Sequence, residues 1–170
     1  MMNYAAAGFT LIEILVVVVI LAVVSVAVLL STGAIGGERQ LGHEANRFQA
    51  LLSYACEQAE LTGREIGISI NREGYRFSRL EHNDWVPIVK DELRARKWLA
   101  GTEVQISRDN QPVRILDAFP EKPQLVCFSS GELTAFRLSI SLPDVSTRYR
   151  LDGEPDGTIS LVAADSHARR

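Results

Sequence analysis

Between Phe9 and Leu30 the chain carries 22 residues with a single charge among them, Glu13. As an α-helix at ~1.5 Å per residue, such a run is ~33 Å long, which matches the hydrocarbon core of a bilayer. Its centre, Ile14 to Leu21, is dense in β-branched residues, mediocre helix formers in water. In lipid the backbone has no other partner, so the helix is enforced. A cleavable secretory signal would place an apolar stretch of roughly 7–15 residues behind a basic segment. Here the stretch is longer, and the first Lys or Arg anywhere is Arg39. Residues 9–30 therefore read as a transmembrane helix.

Glu13 needs a reason to be there. An acidic side chain inside a membrane helix costs ~2.5–3.5 kcal/mol on insertion scales, so it needs a partner. If the chain were cut between Gly8 and Phe9, the new α-ammonium would lie four residues before Glu13, about one helical turn away. It would equally reach the Glu13 carboxylate of a neighbouring subunit. Opposite charges in a low dielectric attract strongly, and either one alone is penalised.

The remaining sequence has a different character. All the Lys and Arg, and every acidic residue except Glu13, lie from Glu38 onward, which leaves a mildly acidic domain of sufficient length for one core. A net charge of −3 supplies no basic footprint for nucleic acid. Ser31 to Gly37 reads STGAIGG, and glycine loosens a helix by ~1 kcal/mol relative to alanine, so residues 31–37 are expected to form a frayed or bent hinge. Leu41, Ala45, Phe48, Leu52, Ala55, Ala59 and Thr62 then recur at helical spacing, predicting an amphipathic helix over 38–63 with Gly63 as its cap. From residue 64 to 170 the period changes. Strands are expected at 65–70, 74–80, 84–89 (broken by Pro87), 103–107, 113–118, 125–129, 133–142, 148–151 and 158–162, with a brief helix over 91–99. The turns NREG, SSGE and DGEPDG join them closely, so the strands should be antiparallel and the fold α+β.

No constellation for catalysis is present in the sequence. His43, His82 and His167 are scattered, without metal-ligand spacing to one another or to a Cys. The serines lie in no GxSxG elbow. The DGEPDG segment, Asp152 to Gly157, imitates the start of a calcium loop, but its twelfth position is Ala163 where Glu is required, so a tight turn is the better reading. Cys56 and Cys127 are too few for a disulfide framework. In an exported domain they would be able to pair; otherwise they behave as small buried apolar residues. Trp85 and Trp98 are either core residues or anchors for another subunit. No cofactor and no metal is expected.

GFTLIE followed by an apolar run resembles the class III signal of type IV prepilins and type II secretion pseudopilins. The resemblance implies cleavage between Gly8 and Phe9 by a membrane-embedded prepilin peptidase, N-methylation of Phe9, and Glu13 as the assembly carboxylate. The leader, residues 1–8, departs from the family pattern in carrying no Lys or Arg. AELTGREIGISI and LVCFSSGELTAFRLSI are similar to the GspH/FimT-type domain of minor pseudopilins, with Ala135 in place of a frequent proline. A type IV pilin-like fold is thereby implied, in which a long N-terminal helix packs on antiparallel sheet.

The function so implied is structural: a minor pseudopilin at the tip of the pseudopilus, helping to export folded proteins across the outer membrane. Its partners would be other minor pseudopilins, the major pseudopilin, the prepilin peptidase and secreted cargo. Its place would be the inner membrane of a Gram-negative bacterium, spanned once, with the C-terminal domain in the periplasm. A minor type IV pilin in pilus assembly or DNA uptake shares the membrane features. A membrane-anchored periplasmic enzyme or sensor would share the anchor but not the cut.

Overall fold

The computed structural model describes residues 11–165, and for 26–35 and 165 the backbone alone. A 52-residue helix, α1 (Leu11–Thr62), comes first and contains both the apolar run and the amphipathic stripe. Its backbone is helical through Ser31–Gly37, and the chain divides there into two units, Met1–Gly36 and Gly37–Arg170. Gly63, at φ 64°, ends the helix, and Arg64 N–H donates to Ala59 C=O in the manner of a left-handed cap.

Ten strands follow: β1 (Ile66–Ile70), β2 (Gly74–Glu81), β3 (Asp84–Pro87), β4 (Arg96–Lys97), β5 (Glu103–Arg108), β6 (Gln111–Val113), β7 (Leu125–Cys127), β8 (Phe136–Ser141), β9 (Thr147–Gly153) and β10 (Ile159–Asp165). They form two sheets of five. The first has the order β3-β2-β1-β7, with β4 beside β2; the second has the order β10-β9-β8-β5-β6. Every pairing is antiparallel.

One core serves the helix and both sheets. Leu41, Ala45, Phe48, Leu52, Ala55 and Ala59 of α1 are fully buried, whereas Thr62, the last position of the expected stripe, is exposed. They meet Ile66, Ile68, Ile70, Tyr75 and Phe77 from the first sheet and Leu138, Ile140 and Leu151 from the second. Phe48, Tyr75 and Trp98 cluster with ring centroids 4.6–5.4 Å apart.

β1 is buried on both faces, which its alternation did not foretell. The segment between β6 and β7 crosses its outer face as a strap. Arg72 N–H donates to Leu116 C=O, Asn71 Nδ2 to Asp117 C=O, and Arg76 Nη2 to Pro120 C=O. The Arg76 guanidinium also lies 4.8 Å above the Phe119 ring. Pro123 and Trp85 close over Gly67, where a Cβ would overlap the Pro123 ring and lie 2.8 Å from the indole. The Gln124 amide completes the strap: Ile70 N–H donates to its Oε1, and its Nε2 donates back to Ile70 C=O, both at 2.8 Å. That side chain occupies the place of a strand residue beside Ile70.

Three expected elements take another form. Residues 91–99 are no helix: Asp91 sits at φ 67°, and only one turn closes before Arg96 and Lys97 pair with Tyr75 and Gly74. Burial of Leu93 and Trp98 overrides the local helical preference. The strand expected at 113–118 stops at Val113, because the chain leaves the second sheet there to become the strap. The strand expected at 133–142 begins at Phe136. Leu133 and Thr134 belong instead to the other sheet: Leu133 bridges Cys127, and Thr134 exchanges hydrogen bonds with Val126.

Candidate assembly site

Gly8 and Phe9 lie outside the described residues. Glu13 stands in the first turn of α1. Every large apolar side chain from Leu11 to Val24 is exposed, Leu11 at 86% and Ile12 at 70%. A face so extended needs a covering, whether lipid or other helices. Among the residues described in full, no helix is long and apolar enough to cross a membrane. Within the apolar run, side chains are described only as far as Ser25, whereas the run continues in the sequence to Leu30.

Where α1 enters the domain, the β8–β9 connection holds it. Thr147 Oγ1 donates to Glu38 Oε1 at 2.7 Å, and Val145 packs on Gly37. Further along, Gln49 Nε2 donates to Ile159 C=O at 3.2 Å. Cys56 and Cys127 are joined by a disulfide, S–S 2.03 Å, which ties the last turns of α1 to β7. On the other flank Glu44, 7% exposed, accepts a 2.6 Å hydrogen bond from Arg47 Nη2. That bond, against some loss from burial, holds the Arg47 guanidinium more firmly protonated than usual. The Tyr75 hydroxyl beneath them is buried without a hydrogen-bond partner. Burial first, and then the Glu44 charge, push its pKa above the ordinary tyrosine value.

The residues singled out in sequence fall in separate places. Trp98 is a core residue, and Trp85 is half-buried over Gly67. DGEPDG closes the β9–β10 hairpin: Glu154 N–H donates to Thr158 C=O and Thr158 N–H to Asp156 Oδ1. The latter bond holds the exposed Asp156 carboxyl below its usual range. Among the described residues no cluster of His, Cys, Asp or Glu is arranged to hold a metal ion. Sequence reasoning missed the Gln124 clamp and the Glu38–Thr147 tie, which join positions far apart in the chain.

Two family patterns match this chain in succession. Residues 4–29 match the prokaryotic N-terminal methylation motif, and residues 44–157 match the type II transport protein GspH. The chain belongs to the GspH family. It is 35% identical to the type II secretion system protein H of Pseudomonas aeruginosa over 81% of this chain and 84% of that protein. It is 30% identical to the protein of the same name from Aeromonas hydrophila, with 88% of each covered. Among solved structures, the minor pseudopilin EpsH from the type 2 secretion system of Vibrio cholerae aligns with a TM-score of 0.56 and 26% identity. That alignment covers 70% of this chain and 93% of that one. GspH of Escherichia coli shares the fold at 19% identity, TM-score 0.59, over 77% of this chain and 93% of its own. The GspH match begins at Glu44 and ends at Gly157, so the family's shared part takes in most of the buried half of α1 and the strands β1 to β9, and stops before β10.

Proposed function

We propose that this GspH-family chain is a minor pseudopilin of a type II secretion system, a structural subunit of the pseudopilus tip that works in export of folded proteins. The observation that carries this reading is the order of the two matches: a methylation motif over 4–29, then a GspH domain over 44–157, with the helix Leu11–Thr62 overlapping both. Residues 9–30 anchor the chain in the inner membrane, with the Gly37–Arg170 unit on the periplasmic side. The prepilin peptidase cuts between Gly8 and Phe9 and methylates Phe9. Its new amine then pairs with Glu13, of the same or a neighbouring subunit, and lowers the penalty of carrying that carboxylate through lipid. Residues 31–37 serve as the hinge between anchor and domain. Partners are the major pseudopilin and the other minor pseudopilins, and the sheets carry partner recognition.

Mass analysis of the N-terminus of membrane-extracted protein tests the processing step. The expected terminus is N-methyl-Phe9, and an intact leader would sink the reading. Glu13→Ala should leave cleavage unchanged and lower incorporation into filaments by at least roughly tenfold, as loss of one ion pair in low dielectric implies. Incorporation at the wild-type level would show that the charge pair plays no part.

A further inference from the structure

The four sheet edges of the domain are not alike. In the first sheet β3 is four residues long and ends in Pro87. At the opposite edge, β7 is only three residues long, and Thr134 occupies both outward groups of its central residue: Val126 N–H donates to Thr134 Oγ1, and Thr134 N–H donates to Val126 C=O. In the second sheet β6 is three residues long with Pro112 in its middle. Short strands, proline and covering groups are the usual devices that keep an edge from pairing with another chain. The remaining edge, β10, is neither short nor interrupted by proline, and its described covering group, Gln49, meets its first residue, Ile159. It is seven residues long, Ile159-Ser160-Leu161-Val162-Ala163-Ala164-Asp165, with no Lys, Arg or Pro, and no charge before its last residue.

The direction of its free groups follows from two hydrogen bonds. Glu154 N–H donates to Thr158 C=O, so Thr158 faces β9; the carbonyl of Ile159 accepts from Gln49 on the other side. Successive residues of an antiparallel strand alternate, so Leu161 and Ala163 present both N–H and C=O away from β9. No described hydrogen bond reaches them. Around them Ser160, Val162, Ala163 and Ala164 are exposed, and Leu161 is half-buried against the core. On the neighbouring strand Asp152, Arg150 and Arg148 stand opposite Ser160, Val162 and Ala164.

We propose that β10 is a docking edge that receives an extended segment of another pilin-like subunit, which pairs as a sixth strand with Leu161 and Ala163. This rests on the pseudopilin reading above. An extended backbone is the partner because only it supplies donor and acceptor at the two-residue repeat of the edge. A second copy is the weaker occupant, since seven strand residues alone bury far less surface than a stable dimer interface needs.

The experiment uses the full-length chain in detergent and each of the other pseudopilins of the same system, purified singly. Amide exchange at Leu161 and Ala163 should slow roughly tenfold or more on addition of one of them, as new backbone hydrogen bonds require. Ala163→Pro removes an outward donor without touching the ladder to β9. It should weaken that binding roughly tenfold or more while the thermal midpoint stays within about 3 °C. Ala163→Lys, which keeps the backbone, is the second variant in case proline disturbs folding. Unslowed exchange, affinity unaffected by both variants, or no binding to any subunit overturns the proposal. Slowing that grows with the chain's own concentration assigns the edge to a second copy and overturns it too. Cleavage after Gly8 and filament incorporation, measured in the same preparations, decide the pseudopilin reading separately.

Discussion

At the scale of single residues, two positions carry more than their side chains suggest. Gly67 lies mid-strand, where glycine normally weakens a sheet, yet the space above it is filled by Pro123 and Trp85. Gly67→Ala should destabilise the domain by about 1–3 kcal/mol through overpacking, read as a lower denaturant midpoint at unchanged slope. A neutral result would mean that the strap shifts freely. Tyr75 is the reverse case, a large core residue whose hydroxyl is buried without a partner. Tyr75→Phe should therefore be within about 1 kcal/mol of wild type at neutral pH, or more stable. Its effect appears in alkali. The folded-state pKa is raised above 10.0, so below that pH both states hold the proton and nothing changes. Above it the unfolded chain releases its proton first, and stability falls as pH rises towards the folded value. Thermal midpoints followed above pH 10 should drop more steeply for wild type than for Tyr75→Phe.

At the scale of elements, local pattern was a good guide wherever one face decides the structure. The stripe from Leu41 to Ala59 is readable because a helix against a core needs one apolar row, and it is buried throughout. Most strands are readable from alternation and from the turns between them. What escaped has a common cause, contact with distant chain. Asp91–Leu99 has helical composition but is held by Gly74 and Tyr75, and Leu133–Thr134 reads as strand yet serves the other sheet. The strap over β1 is likewise invisible in a sequence where Phe119, Pro123 and Gln124 look like loop residues. Glu13 stands out in the sequence as a lone charge, whereas the edge at β10 becomes a site only beside three protected edges. The link between Cys56 and Cys127 spans 71 positions. Closing such a loop disfavours the unfolded chain by about 4 kcal/mol in the chain-entropy account. The double variant Cys56→Ala/Cys127→Ala should lose about 2–5 kcal/mol in denaturant unfolding. A loss under about 1 kcal/mol would show that the packing of α1 on β7 suffices without it.

At the scale of the whole molecule, a single core joins the buried half of α1 to both sheets within Gly37–Arg170. That unit should fold without the preceding residues and unfold in one cooperative step, with a heat-capacity change of about 1.6–2 kcal/mol/K for its length. Calorimetry of a chain beginning at Gly37 checks this: two resolved transitions would mean that the sheets are separate folding units.

The disulfide also sets how the domain bears load. If the chain works as proposed, a subunit drawn from a membrane by its helix would bear tension along α1, and that tension would reach the sheets wherever the helix is fastened to them. Most fastenings here are sliding ones: van der Waals contact along the stripe, the hydroxyl of Thr147 on Glu38, the amide of Gln49 on Ile159. Each of these is non-covalent and yields under shear. The bond from Cys56 to Cys127 does not slide. It makes the far end of the helix a fixed rivet, so a pull that strips the nearer contacts still moves the domain as one body rather than drawing the helix out of it.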